Sequence, residues 1–536
     1  MKFAHFRPLL VVFVALLAGL FTAGLAGIAG WWVILIVIGV GAAALAVCFV
    51  PWKSAVLKTQ MKAAGKVLVL GLAVILIAQP MFFIVKATSE AGFTPGGYPV
   101  GHMYEITGVI DGTPLVREKV MYIRLRDVVA EYNFQQTHIK EKLRLTVFLN
   151  NATEEAAVFG LQAGNKIWFA SRIESTPVFE EDGSINGFSY ADNTLYAATA
   201  HFTDVKFLEA GEKNFTEKIT GYVGNILRQG MGNKYGGFAL AVLLGDRSGI
   251  DMEMRDNFRD TGVAHLIAIS GLHVGFIVLM LMWLLVRCKL SVKWQTVIVA
   301  AFLLFYCIIC GLSPSVLRAS LMAVFILLGR CFGEQYDPLS SVSLAGILIL
   351  LFAPLYAFNL GFLLSFASVF CIFLLMPIFM SWFRFLPKFL SSTIAVTLAA
   401  TIGTAPLIIM FFGTFPIYTL LTNLVVVPLF GIVYCVTAVM LIVCLLTSWF
   451  LPWMPYILKL PSYGYLLLDW ITAWIAKWPF AVAELYLKPF IGTVCYYVGI
   501  FAASRFCLLL PKIKMISAGV LFGICAVEFV LMQVIV

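Results

Sequence analysis

Apolar residues fill most of this chain in runs close to spanning length, interrupted once by a long polar stretch. The runs begin at about residues 9, 32, 66, 262, 295, 315, 339, 359, 391, 417, 434, 489 and 515. A hydrocarbon core about 30 Å thick takes about 20 residues of helix, so these runs predict roughly ten to thirteen spans. The first run follows Lys2 and Arg7 and shows no small-residue cleavage site, which predicts a retained span rather than a signal peptide. Between residues 88 and 235 the period changes. In Leu143 to Leu149 aliphatic residues alternate with Arg144, Thr146 and Phe148, and Tyr122 to Arg126 and Ile167 to Ile173 alternate similarly. With Tyr104 to Ile110 and Leu195 to Leu208, this predicts about five half-buried strands, the pattern of a small OB-like β-barrel.

The expected fold is therefore a polytopic α-helical membrane protein with an inserted extracytoplasmic small β-barrel domain. Its parts are N-terminal transmembrane helices over 1–87, the β domain over 88–235 and a second transmembrane domain over 236–536. Composition agrees: 61% of residues are hydrophobic and 12% charged, which excludes an ordinary soluble fold. Lys53, Lys58, Lys62 and Lys66 follow the second run, while the turn at Gly27 to Gly30 is uncharged. The positive-inside rule then places the N-terminus in the cytoplasm and residues 88–235 outside. All eleven cysteines lie outside the polar stretch, so its core must hold without disulfides. Cys307 and Cys310 sit in an uncharged apolar run and read as small buried hydrophobes.

Gly236 to Gly245 is apolar but only ten residues long, which predicts a re-entrant or interfacial piece. Ile250, Met254 and Phe258 recur every four residues among charges, predicting an amphipathic helix along the membrane surface. Trp470, Trp474, Lys477 and Trp478 predict an aromatic interfacial anchor.

Polar groups inside apolar runs mark the candidate chemistry. Gly262 to Gly275 carries His265, Ser270, Gly271 and His273. Ser-Gly within a span requires a bend or a close approach, and irregular backbone survives in hydrocarbon only where protein or a hydrated cavity surrounds it. The segment is thus expected to line an internal path. Arg318, after Ser313-Pro314-Ser315, either meets a phosphate or anchors at the interface. Ser313, Ser315, Ser365 and Asn423 offer hydrogen bonds to a polar substrate or to neighbouring helices. On a continuous helix His265 and His273 would stand about 80° apart, with no third ligand between them. Ser270 and His273, at i and i+3, lack a third group to orient a base. No metal, cofactor or catalytic residue is expected.

Three strand faces pair arginine with an aromatic: Tyr122, Arg124 and Arg126; Arg144 and Phe148; Trp168 and Arg172. They either stack bases and hold phosphates or are ordinary solvated faces. Residues 86–235 carry 15 Lys and Arg against 18 Asp and Glu, where nucleic-acid binders are usually basic.

The string from Leu243 to Gly275 closely resembles the competence domain of the ComEC family of DNA-uptake proteins. Further motifs follow in that family's order: Gly311 to Arg318, Asn359 to Phe366, Thr404-Ala405-Pro406, Phe412-Gly413, Asn423 and Pro428. Gly187 to Tyr190 before the last strand also looks like the family's external region. The resemblance implies a channel for single-stranded DNA across the bacterial cytoplasmic membrane during natural transformation. It also implies an extracytoplasmic DNA-delivery protein and a cytoplasmic helicase or single-stranded DNA-binding proteins as partners, besides membrane lipid.

The chain departs from the family in two places. Relatives often carry Asp and Gln where this chain has Asn359 and Leu363. Many continue into a metallo-β-lactamase-like nuclease, whose H-x-H-x-D-H cluster none of the six histidines here forms, so nuclease activity is not carried over. No G-x-x-x-x-G-K-[ST] segment exists, and the energy for transport is expected from a partner. A secondary transporter of a small anionic solute and a membrane-embedded hydrolase built on Ser270 and His273 are the alternatives.

Overall fold

The computed structural model describes residues 8–29, 74–75, 78, 103–112, 114–117, 120–132, 135–139, 142–149, 164–175, 194–210, 214–334, 336–447, 449–485, 491–503, 519–523 and 525–526. Nearly all of the runs expected from residues 32, 66 and 515, and the Gly187 to Tyr190 segment, lie outside these residues. Two compact units emerge, one built on Phe6–Lys218 with Ser343–Phe362, the other on Ile219–Val342 with the chain from Leu363 onward.

The first unit holds α1 (Pro8–Ala29) and a nine-stranded sheet. Its strands are β1 (Met103–Ile110), β2 (Leu115–Arg117), β3 (Val120–Tyr132), β4 (Gln135–Ile139), β5 (Lys142–Phe148), β6 (Asn165–Arg172), β7 (Glu174–Ser175), β8 (Thr194–His201) and β9 (Lys206–Ala210). Burial alternates along β1, β5 and β6 as the period of two predicts. Ile106, Ile123, Leu125, Leu143, Leu145, Ile167 and Phe169 are fully buried in one core, and five long strands occupy the predicted places. Where one last strand was expected, a 3-10 turn at Phe202–Asp204 divides β8 from β9.

The strand order is β7-β8-β5-β3-β1-β6-β9, with β5 and β8 parallel and the other pairs antiparallel. Among the described residues no ladder joins β6 to β8. Instead the Ser171 hydroxyl donates to the Thr199 carbonyl at 2.7 Å and accepts from the Thr199 amide at 3.2 Å. One residue further, β7 pairs with β8 through Glu174 and Ala197. The chain passes from β6 to β7 at Ile173, and no closed ring of backbone pairing forms among the described residues.

The second unit is helical. It opens with α2 (Phe215–Leu244), kinked at Gly232, whose φ of 79° only glycine adopts freely. Beyond the kink, Phe238 to Leu243 are buried in the unit's main core. The predicted interfacial piece is therefore the inner arm of a bent helix. It can lie there because Gly237 has no Cβ to meet the backbone of Gly249. α3 (Met252–Asp260) is amphipathic as expected, but Met254 and Phe258 face this same core, with Phe258 5.3 Å from Phe238. Protein rather than lipid covers its apolar side.

After a 3-10 turn at Ala264–Leu266 come α4 (Gly271–Arg287), α5 (Val292–Ile309), α6 (Pro314–Phe332), α7 (Pro338–Phe352), α8 (Leu360–Trp382), α9 (Lys388–Phe412), α10 (Thr419–Thr447), α11 (Lys459–Ala476) and α12 (Ile491–Ala503), of which α7 from Ser343 on and the first residues of α8 belong to the first unit. Pro314 starts α6 and left-handed Gly333 ends it, donating to the Gly329 carbonyl. Among the described residues five helices, α5, α6, α8, α9 and α10, are long and apolar enough to cross a membrane. The runs from 417 and 434, counted separately in the sequence, form one helix of 29 residues. A short ribbon of β10 (Thr414–Pro416) and β11 (Val482–Glu484) closes the α10–α11 segment at its base.

Candidate functional site

The break at Ser270-Gly271 is real, and it is built from local chemistry. Ser270 is extended and caps α4: its hydroxyl accepts from the backbone of Leu272 and of His273. Reciprocally, the Ser270 amide donates to Nδ1 of His273 at 3.1 Å, with the Ser270 hydroxyl 3.0 Å from the same nitrogen. This is a capping box with an imidazole where Glu or Gln is usual. An accepting Nδ1 assigns the proton to Nε2. His273 is 0% exposed, and its ring stands edge-on to Phe430 and Tyr434 at 5.2 and 5.0 Å. In this structure His273 caps and packs rather than lining an open path. Because the helix starts only at Gly271, the 80° separation expected of His265 and His273 does not apply.

His265 sits in the 3-10 turn before the break. It is exposed. Gly262, with φ of 78°, brings its backbone against the Thr419 side chain at the start of α10. Thr419, Asn423, Phe430 and Tyr434 fall on one stripe of α10, since steps of four, seven and eleven residues return near the same angle. The stripe that carries Asn423 is thus the one that faces His273. Asn423 is buried, and its Oδ1 has no hydrogen-bond partner among the described residues.

Arg318 lies in the second turn of α6, buried with 6% exposed, its guanidinium 5.9 Å above the Phe366 ring. Its Nη2 comes within 3.3 Å of where a Cβ on Gly271 would stand. Gly271 and Arg318, 47 residues apart in sequence, therefore meet. Ser313 and Ser315 are half-buried at the start of α6, and buried Ser365 accepts from the Ser368 hydroxyl through its carbonyl. Asn359 caps α8, its Oδ1 accepting from the Phe362 amide at 3.1 Å. A cavity of about 460 Å³ between α4 and α10 is lined by Phe276, Pro428, Gly431, Ile432, Cys435 and Val436. None of the expected path residues lines it. Burial of polar groups also extends to residues the sequence did not single out: Tyr306 donates to the Leu243 carbonyl at 2.9 Å, and Tyr434 is fully buried.

A further charged cluster escaped the sequence reading. Lys234, just past the α2 kink, contacts Asp469 of α11 at 2.8 Å and Asp251 at 3.3 Å. The hydrogen bond to Asp469 holds its ammonium above the ordinary lysine range. Asp469 is a lone acid in an apolar helix, which was the available signal.

On the sheet, Tyr122, Arg124, Arg144 and Phe148 share the outer face of neighbouring strands, with Arg124 directly opposite Arg144 and Tyr122 opposite Thr146. Phe148 packs 5.8 Å from His201. Arg126 donates through Nη1 to the Asn214 side chain at 2.9 Å, and Glu217 and Asp127 lie 3.9 Å away. Trp168 lies under Lys206 at 4.7 Å. Arg172 pairs across from Met103, beyond Glu105, which separates it from the other cations.

Comparison with known proteins places the central region. The Competence protein family matches residues 242–509. The chain is 30% identical over 357 residues to ComE operon protein 3 of Bacillus subtilis, covering 65% of this chain and 43% of that protein. It is 29% identical over 171 residues to Recombination protein 2 of Haemophilus influenzae, covering 30% and 21% respectively. An uncharacterized protein of Aquifex aeolicus is 31% identical over 185 residues, 34% of this chain and 42% of that protein. The chain thus spans less than half the length of these relatives. No solved structure matches it.

Proposed function

The chain belongs to the Competence protein family, and on that premise we propose that it passes single-stranded DNA across the bacterial cytoplasmic membrane during natural transformation. The observation that carries this reading is the concentration of buried polar groups around the broken helix. Helix packing leaves Arg318 Nε and Asn423 Oδ1 without hydrogen-bond partners among the described residues, close to buried His273. Buried polar groups are normally paired with protein or water, so a bundle that keeps such groups open is built for a polar guest. The route runs past His265, Gly271, Arg318 and Asn423, with Ser270, Ser313, Ser315 and Ser365 beside it. The aromatic packing around His273 is its closed state.

The sheet domain is the receiving surface, an OB-like barrel on the extracytoplasmic side. Its long strands in the order β8-β5-β3-β1-β6, with β5 and β8 parallel, support that reading. Tyr122, Arg124, Arg144 and Phe148 lie on its second and third long strands, the pair on which OB-folds bind oligonucleotides. Tyr122 and Phe148 stack bases while Arg124 and Arg144 hold phosphates, with Trp168, Arg126 and Arg172 beside them. Delivery from outside and pulling from the cytoplasm fall to partner proteins, since an unpowered conduit only equilibrates its cargo.

The test is proteoliposomes containing the full chain and, inside, a single-stranded DNA-binding protein as a trap. Labelled oligothymidylate added outside becomes nuclease-protected with the trap and not without it. Protection that is unchanged by deleting residues 100 to 210, or equal in empty liposomes, overturns the reading.

A further inference from the structure

We infer that Arg318 and the amino end of α4 form a buried binding site for a phosphate-class oxyanion. The inference rests on the proposed function only for the source of that anion. Arg318 makes neither a hydrogen bond nor an ion pair among the described residues, and its Nε is shut off from solvent. Arginine is almost never buried without a partner, because desolvating a charge is costly unless an opposite charge compensates it. Here a neighbouring helix end makes matters worse. The guanidinium Nη2 lies beside Gly271, the first residue of a 17-residue helix. That end carries the helix's partial positive charge and its outward-pointing amides. A cation pressed against the positive end of a helix is stable only with a negative charge between them.

The local geometry is suited to such a guest. The cap engages the amides of Leu272 and His273, leaving the Gly271 amide for a ligand. Gly271 has no side chain, which keeps the gap to Arg318 open. Phe366 supports the guanidinium from its face, leaving its edge nitrogens free to donate. A planar fork of donors joined by one helix-end amide matches a tetrahedral oxyanion, and arginine takes phosphate oxygens two at a time. In the proposed conduit the phosphate belongs to the backbone of the passing strand. A free phosphate or a lipid headgroup presents the same chemistry.

The full chain, purified in a phosphate-free maltoside detergent, is titrated separately with inorganic phosphate, pentathymidylate and phosphatidylglycerol. At least one of the three binds, and Arg318→Met weakens that binding at least tenfold. Arg318→Lys, which keeps the charge but not the fork, weakens it less, and Arg330→Met on the same helix leaves it unchanged. Gly271→Ala also weakens it, because the new Cβ meets the guanidinium. The probe that responds identifies the source. If Arg318→Met does not fold, Arg318→Lys and Gly271→Ala decide by the same comparison. Failure of all three probes to bind, or affinities indifferent to these substitutions, overturns the site. That failure leaves the conduit to be judged by liposome uptake, whereas Arg318-dependent phosphate binding without uptake removes the conduit and keeps the site.

Discussion

The sheet and the helical bundle treat polar side chains in opposite ways. In the sheet every second residue turns to the core, and arginines and aromatics stand on the outer face where solvent is available. In the bundle the outside is apolar, as exposed Leu279, Trp283 and Ile432 show, and polar side chains such as His273, Arg318 and Asn423 lie buried inside. On the proposed function the difference divides the work. A polar outer face would suit a surface that meets nucleic acid from water, and polar groups within an apolar shell would suit an interior that meets it away from lipid.

Predictions that break or sharpen this contrast run from large to small. Phe169→Ala removes a fully buried ring from the sheet core and costs about 3–5 kcal/mol. Hydrogen exchange then accelerates in β1, β5 and β6 while α10 keeps its protection; equal loosening of both units breaks the separation. Gly262→Ala forces a side chain into a φ of 78° against Thr419, at about 1–3 kcal/mol, and its exchange signature is confined to the bundle. Tyr122→Ala or Phe148→Ala removes a stacking surface worth about 1–3 kcal/mol per base, measured as weaker oligothymidylate binding. Arg126→Ala, already engaged by Asn214, changes that affinity less; the reverse ranking removes the assigned face.

His273→Ala loses the reciprocal cap and lowers thermal stability by about 0.5–2 kcal/mol. His273→Gln recovers most of it, because a glutamine at this position also accepts from the Ser270 amide. DNA passage that fails in the stable glutamine variant shows the imidazole doing more than capping. Smallest is Lys234→Met, about 0.2–1 kcal/mol and diminished by salt, since that ammonium is partly solvated.

Strands were legible because water marks one face of a half-buried strand, and the alternation through Leu143, Leu145 and Val147 survives into the structure. The amphipathic helix over Met252–Asp260 was legible for the same reason, though what covers Met254 and Phe258 was not. The long apolar helices hide their inward faces, since lipid-facing and core-facing residues share one chemistry. Nothing in the sequence therefore decided between one 29-residue α10 and two spans beginning at 417 and 434: no charge interrupts it, and Pro428 and Gly431, which look like a break, lie within the helix. His273 and Arg318 stood out as polar residues in apolar runs, but the meeting of Arg318 with Gly271 depends on how α4 and α6 cross. The burial of His273 beneath Phe430 and Tyr434 likewise depends on tertiary packing.

The β10–β11 ribbon ties Thr414 to Glu484, and Leu485 donates to the Gly413 carbonyl at 3.0 Å. Helices α10 and α11 are consequently enclosed in a loop fastened at its base. Any rearrangement that swings Phe430 and Tyr434 off the imidazole must carry both helices together, like a single shutter hung on one hinge, unless the ribbon unzips first.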